Sequence, residues 1–123
     1  MKKSYEEKLL TDWETVFKQG LLTFWVLISL RGKSLTTGEI RDRVSELTRG
    51  TYNTSEQALY RSLRKYFDLE LVDYEEVENS KGPKRKVYTL SKLGEEVLRE
   101  FTNRNISLFL QEDVQELLKQ EKE

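Results

Sequence analysis

Apolar residues recur at intervals of three and four along the first quarter of the chain, and this spacing predicts a long helix. The pattern runs through Leu9 and Leu30 and ends near Arg31 and Gly32. We therefore expect a helix from about Tyr5 to Leu30. Hydroxyl-x-x-Glu signatures begin at Ser4 and at Thr11, so an interruption at Thr11 or at Gly20 stays open.

Two shorter helices joined by a polar turn are predicted next. The signature Thr36–Glu39 opens the first, and Gly50 ends it. Its apolar face is formed by Ile40, Val44 and Leu47. The signature Thr54–Gln57 opens the second, which we call the recognition helix. Its apolar face is formed by Leu59, Leu63 and Phe67, flanked by Ala58 and Tyr66. Two short helices joined in this way predict a helix-turn-helix.

After Asp68 the apolar pattern changes from helical to alternating, which predicts a hairpin. A first strand is expected from Leu69, and a second strand over Arg85–Leu90. The turn between them, Asn79–Lys84, contains the only proline of the chain, where it removes no ladder hydrogen bond. Beyond the hairpin, Ser91 is expected to cap a helix through Phe101. A last helix is predicted from Leu108 to Lys119.

This order of elements predicts a winged helix-turn-helix with terminal helical extensions, a mostly α fold with a small β hairpin (α+β). We divide the chain into an N-terminal helical extension over residues 1–17, a winged DNA-binding domain over 18–101 and a C-terminal dimerisation helix over 102–123. The apolar positions from Leu93 to Leu118 exceed what a small winged core can cover. We therefore expect a homodimer held by the terminal helices.

Composition excludes several function classes. The 123 residues include no cysteine and no histidine, which removes disulfides, thiolate metal sites and the commonest general base. No reactive constellation is evident, so we expect neither an enzyme nor a bound metal or cofactor. The amino terminus lacks the apolar core of a signal peptide, and the longest apolar stretch, Leu21–Leu30, is too short to cross a bilayer. We expect a cytoplasmic protein with no membrane partner.

Charge is segregated along the chain although the net charge is only −1. Residues Lys81–Lys86 carry four bases and no acid, whereas Glu95–Glu123 carry eight acids and four bases. A basic hairpin tip beside a basic helix face is typical of proteins that bind double-stranded DNA. The candidate DNA-binding residues are Gln57, Tyr60, Arg61 and Arg64 on the recognition helix, and Lys81, Lys84 and Arg85 on the wing.

Other interpretations of these residues stay open. Basic residues on an exposed helix face are also common in proteins that bind no DNA. Lysines also keep a hairpin soluble and protect its edge. By strand alternation, Arg85 or Lys86 must turn away from the outer surface. A winged helix used only for protein–protein interaction is the alternative function, because the near-neutral charge and the acidic tail permit it.

Four segments resemble the PadR family of transcriptional regulators. They are Lys18–Leu22, Ala58–Leu63, Leu69–Val72 and Gly82–Leu90 followed by Leu93 and Gly94. The last is the most specific, and it favours PadR over MarR-like regulators of the same architecture. The resemblance implies a homodimer that binds operator DNA, usually to repress a promoter. It also implies a small hydrophobic ligand at aromatic residues of the subunit interface, for which Trp13 and Trp25 are the candidates. Core or dimer packing is the competing role of these tryptophans.

Overall fold

The computed structural model describes residues 2–119, and its first element is one unbroken helix, α1 (Lys2–Ser29). Neither Thr11 nor Gly20 interrupts it. The Thr15 hydroxyl donates to the carbonyl oxygen of Thr11 at 2.9 Å. A residue caps a helix only where the chain before it is not helical. The signatures at Ser4 and Thr11 therefore lie inside α1 and do not mark helix starts.

The helix-turn-helix consists of α2 (Thr37–Leu47) and α3 (Glu56–Asp68). Thr36 forms the expected capping box, since its Oγ1 accepts from the Glu39 amide at 3.3 Å and the Glu39 carboxylate accepts from the Thr36 amide at 2.9 Å. The cap of α3 is Ser55, whose hydroxyl accepts from the Ala58 amide at 3.0 Å. The prediction that Thr54 opens this helix was thus wrong by one residue.

The buried face of α3 differs from the prediction at its C-terminal end. It is formed by Leu59, Leu63 and Tyr66. The Tyr66 hydroxyl lies 2.9 Å from the Thr23 hydroxyl of α1, which satisfies this buried polar group. Phe67 is 41% exposed and instead packs against Tyr74 at a ring distance of 4.9 Å.

Three antiparallel strands form the sheet, in the order β1 (Leu35–Thr36), β3 (Arg85–Leu90), β2 (Val72–Val77). Strand β2 pairs with β3 from Val72 opposite Leu90 to Val77 opposite Arg85. The predicted strand start at Leu69 was wrong, because Leu69 caps α3 and Glu70 follows with a positive φ of 66°. Strand β1 has only two residues, too few to produce a sequence pattern.

Helix α4 (Lys92–Phe101) is capped by Ser91, as predicted. The Ser91 hydroxyl accepts from the Gly94 amide at 2.9 Å and donates to the Glu70 carbonyl oxygen at 2.6 Å. A Cβ atom at Gly94 would lie 2.0 Å from the Leu71 carbonyl oxygen. The glycine therefore lets α4 approach the start of β2.

The predicted helix from Leu108 to Lys119 is shorter and starts later. A π-helical segment (Thr102–Ile106) and a 3-10 segment (Ser107–Leu110) follow α4, and α5 (Glu112–Leu118) begins only after Gln111. The break lies at Gln111, which is extended with ψ 143° and therefore separates the 3-10 segment from α5.

The five α-helices and one small antiparallel sheet within residues 2–119 confirm the predicted α+β fold class. The core lies between the C-terminal half of α1, helices α2, α3 and α4, and the inner face of the sheet. Its fully buried side chains include Val26, Leu30, Ile40 and Tyr88. Within the described residues, no helix has the length and apolar character needed to cross a membrane.

Candidate nucleic-acid interface

Three of the four candidate residues on α3 form an exposed row. Gln57, Arg61 and Arg64 follow one another at intervals of four and three, and all three are exposed. This row lies opposite the buried residues Leu59 and Leu63, which fasten the helix to the core. Guanidinium and amide groups presented in this way can reach base edges in a major groove.

Tyr60, the fourth candidate, is half-buried between α3 and the hairpin. Its hydroxyl accepts a hydrogen bond from the Lys86 ammonium at 2.9 Å. The same ammonium lies 5.1 Å from the centroid of the Tyr60 ring and 4.6 Å from that of Tyr74. Tyr60 therefore joins the recognition helix to the wing.

The wing places Lys81, Lys84 and Arg85 on the surface and turns Lys86 inward. Alternation in β3 causes the difference, since Lys86 shares a face with the buried Tyr88 whereas Arg85 points to the other side. The Lys84 ammonium lies 3.7 Å from a carboxylate oxygen of Glu78 across the hairpin. Both partners are exposed, so this pair is weak and a phosphate can displace it.

Electrostatics at the centre of the site favour a charged Lys86. The hydrogen bond to Tyr60 raises the pKa of Lys86, against a smaller opposing effect of burial. Burial raises the pKa of the Tyr88 phenol, and the neighbouring Lys86 charge partly opposes that rise. Lys86 is therefore a cation and Tyr88 a neutral phenol at neutral pH.

An open cleft of about 360 Å³ lies between the start of α2, the start of α3 and the wing. Its walls are formed by Thr36, Thr37, Gly38, Glu56, Tyr60, Lys84, Arg85 and Lys86. The only acid among them, Glu56, has an oxygen 3.3 Å from a nitrogen of the Arg41 guanidinium. Bases of the wing thus face the cleft beside an acid that is already paired, an arrangement suited to a polyanion.

Sequence reasoning missed some residues of this surface. Lys65 is exposed one helical turn after Arg61, and that spacing could have identified it. Thr37 and Gly38 line the cleft from α2, but no local pattern pointed to them, because the fold alone brings them beside the wing.

The structure separates the two candidate tryptophans. Trp25 is half-buried, with its ring 5.3 Å from that of Phe24 and 6.1 Å from that of Tyr52. Trp13 is 74% exposed and lies three turns earlier on α1, where residues 4–17 are all exposed. Contact of either residue with a ligand or a second protomer stays a prediction. In the described part of the chain, no group of three or more acidic side chains is placed to hold a metal ion.

Comparison with known families gives a match over most of the folded domain. Residues 26–100 match the model of the family described as transcriptional regulator PadR-like. The matched range begins in the C-terminal part of α1 and ends in α4, so it contains the helix-turn-helix and the wing. No curated protein matches the chain significantly.

Solved structures of similar fold cover nearly the whole chain. A PadR-like transcription factor from Bacteroides fragilis is 25% identical, with a TM-score of 0.67 over 86% of this chain and 98% of that one. A PadR family regulator from Eggerthella lenta is 20% identical, with a TM-score of 0.73 over 96% and 99%. Bacillus subtilis PadR, solved in complex with operator DNA, is 17% identical, with a TM-score of 0.60 over 84% and 49%.

Proposed function

Because this chain belongs to the PadR-like family of transcriptional regulators, we propose that it binds operator DNA sequence-specifically as a homodimer and represses a promoter. The observation that carries the proposal is the exposed row Gln57, Arg61 and Arg64 beside the basic wing. The row offers base-reading groups, and the wing offers charges for phosphates. The operator complex of Bacillus subtilis PadR, a protein of the same fold, supports this interpretation.

The wing supplies the part of the affinity that does not depend on sequence. Lys81, Lys84 and Arg85 are exposed at or near its tip, and each can neutralise a backbone phosphate. The net charge of −1 does not oppose this role, because the local distribution of charge decides binding and residues 81–86 at the wing tip include four bases and no acid. Acids of the hairpin, Glu75, Glu76 and Glu78, lie on the side of β2, before that tip.

Dimerisation follows from the apolar residues that the folded domain leaves uncovered. On α1 they are Tyr5, Leu9, Leu10, Trp13, Val16 and Phe17. In the C-terminal region they are Leu108, Phe109, Leu110, Leu117 and Leu118. Exposed apolar residues clustered in this way are typical of protein interfaces, and a twofold dimer presents two recognition helices to two half-sites. We assign residues 1–17 and 102–123 to dimerisation and residues 18–101 to DNA binding.

Regulation by a small hydrophobic effector is part of the proposal, with Trp13 and Trp25 as its contacts. These are the only tryptophans of the chain, so fluorescence excited at wavelengths that tyrosine does not absorb reports on them alone. Saturable quenching by flat aromatic compounds, lost in Trp13→Phe or Trp25→Phe, supports the assignment. If the fluorescence of the parent protein changes with no compound of a diverse set, the two tryptophans serve in packing and bind no effector.

We also propose that the regulator acts in the cytoplasm and uses no catalysis, metal or cofactor.

A salt titration of duplex binding tests the proposed function. When a protein neutralises DNA phosphates, the logarithm of its binding constant falls linearly with the logarithm of the salt concentration. The slope is about −0.9 for each phosphate contacted. Binding of the purified protein to random duplex DNA should show such a slope. If the protein binds no duplex DNA at low salt, the proposal fails. The alternative function, a winged helix used only for protein–protein interaction, is then favoured.

A further inference from the structure

We propose that Lys86 is a positioning residue that fixes the wing to the recognition helix, so that the two elements meet DNA in one fixed geometry. The contact consists of Tyr60 on α3, Tyr74 on β2 and Lys86 on β3, and we call it the wing clamp. Its role at DNA rests on the proposed function, whereas its effect on the wing can be measured in the free protein.

The hairpin needs such a contact because of where the sheet ends. Strand β1 pairs only with Val87 and Tyr88 of β3. From Lys86 to the tip, the hairpin therefore consists of two strands, and an isolated two-stranded hairpin is only marginally stable in water. Lys86 is the first residue of β3 beyond the three-stranded region, so it lies at the base of the projecting wing.

The geometry of Lys86 differs from that of the neighbouring bases. Its ammonium makes one hydrogen bond of 2.9 Å to the Tyr60 hydroxyl and lies over two aromatic rings, at 4.6 Å and 5.1 Å from their centroids. Both distances fall within the range of favourable cation–π attraction. Arg85 and Lys84 are exposed instead. The charge of Lys86 is thus used between elements of the protein, while the other two are available to phosphates.

The clamp also gives Tyr60 a role other than the direct DNA contact predicted from the sequence, because its hydroxyl is bonded to Lys86. Since its hydroxyl accepts from Lys86, the phenolic hydrogen is directed away from that lysine and the position of the ring is held. Tyr60 links a lysine 26 residues away to the helix that carries Arg61 and Arg64. Any rotation of the wing therefore strains a contact on the recognition helix itself.

The first test measures the wing without DNA. Backbone ¹⁵N relaxation of residues 79–84 should show the parent wing nearly as ordered as β3. Lys86→Met keeps an unbranched apolar stem but removes the charge, and it should lower the heteronuclear NOE in the wing only. Lys86→Arg retains a cation that donates and stacks, so it should restore the parent values. Lys81→Met is the matched control, because it removes an exposed lysine charge of the wing that lies outside the clamp.

Unchanged wing relaxation in Lys86→Met would overturn the proposal. If that variant does not fold, Tyr60→Phe replaces it, because this change removes only the hydroxyl that accepts from Lys86. It should loosen the wing to a smaller extent, since the attraction of the ammonium to the rings remains. A wing as ordered in Tyr60→Phe as in the parent would then count against the clamp in the same way.

The second test is a double-mutant cycle on DNA affinity. Lys86→Met should weaken specific binding about tenfold, the loss expected when a charged hydrogen bond and its ring contacts disappear. Combining it with Tyr60→Phe should add almost nothing, because both changes break the same contact. The matched cycle of Lys84→Ala with Tyr60→Phe should be additive. Additive losses for Lys86 and Tyr60 would overturn the proposal, since Lys86 would then contact DNA on its own.

The two tests separate the clamp from the proposed function. If the parent binds no duplex DNA, the proposed function fails, and relaxation alone decides whether Lys86 holds the wing. If the parent binds DNA and Lys86→Met leaves both relaxation and affinity unchanged, the clamp fails while the proposed function stands.

Discussion

The winged domain buries a core of large apolar residues and leaves a few others partly exposed, whereas the two ends of the chain leave nearly all of theirs exposed. Leu59 and Leu63 of α3 have no exposed surface, and Val26 and Ile40 are equally buried. Trp13 of α1 is 74% exposed and Leu117 of α5 is 83% exposed. Both regions have apolar residues at helical spacing, so amphipathic pattern alone does not distinguish them.

The difference indicates which region folds by its own contacts. The winged domain has a buried core, hydrogen-bonded helix caps and an edge strand, β2, that contacts α3 through Tyr74 and Phe67. The ends have apolar surface that water covers in a single chain, and burying it against a second chain is favourable. Changes in the winged domain should therefore affect folding or DNA binding. Changes at the ends should affect assembly.

The largest effect should come from Gly94→Ala, which breaks the folded region. The added methyl group would lie 2.0 Å from the Leu71 carbonyl oxygen, and a backbone atom cannot move aside as a side chain can. We expect the free energy of unfolding to fall by more than about 3 kcal/mol, above the usual range for overpacking, because the obstructing atom belongs to the backbone. Denaturant unfolding measures this. The control is Gly82→Ala, where the nearest atom is 3.8 Å away; equal stability of the two variants would contradict the packing described.

The next largest effect should be on assembly and come from Trp13→Glu. If α1 lies at the dimer interface, the free energy of dimerisation should weaken by about 3 kcal/mol, as for a central aromatic contact. Sedimentation at several concentrations measures it, and the unfolding midpoint of the monomer should not change. Thr11→Glu adds the same charge on the opposite side of the same helix and should dimerise as the parent does. Equal effects of both variants would remove α1 from the interface.

Arg64→Ala tests the DNA-facing surface of the winged domain. A base contact contributes roughly 2 kcal/mol, so affinity for a preferred site should fall by that amount while affinity for random duplex changes less. Gln57→Ala should behave similarly if it reads a base. Arg99→Ala, an exposed arginine on α4, is the control and should bind as the parent does. Losses of the same size on both kinds of DNA would indicate a phosphate contact instead.

The smallest effect should come from Lys84→Ala in the wing. We expect a loss below about 1 kcal/mol on every sequence and a salt slope flatter by about 1 per half-site, because one phosphate contact disappears. Glu78→Gln sharpens the test, since it releases the ammonium that lies 3.7 Å from Glu78 and should slightly strengthen binding. A sequence-dependent loss in Lys84→Ala would show that the wing reads bases.

Sequence reasoning succeeded where local contacts decide the structure. Strand alternation predicted the bounds of β3, and the capping residue Ser91 predicted the start of α4. Both signals depend only on residues that are close in sequence. It failed where distant residues decide. Tyr66 is buried in place of Phe67, and its hydroxyl forms a hydrogen bond with Thr23 of α1, 43 residues away in the sequence. The local sequence pattern allows either Tyr66 or Phe67 to face the core, so it does not predict which of the two is buried.

The candidate site divides in the same way. Periodicity was sufficient to place Gln57, Arg61 and Arg64 on one exposed face, and alternation required either Arg85 or Lys86 to turn inward. The contact of Lys86 with Tyr60 and Tyr74 joins three elements, so it depends on how the hairpin lies against α3. No pattern within one element contains that information.

Selection of bound duplexes from a random pool tests the central claim most directly, because it reports on base recognition and on symmetry at once. The purified full chain should enrich one sequence composed of two inverted half-sites, with centres about one helical turn of DNA, or a multiple of it, apart. Such a site requires two recognition helices related by a twofold axis. A pool with no enriched sequence, or with single half-sites only, would contradict the account of a dimeric, sequence-specific regulator.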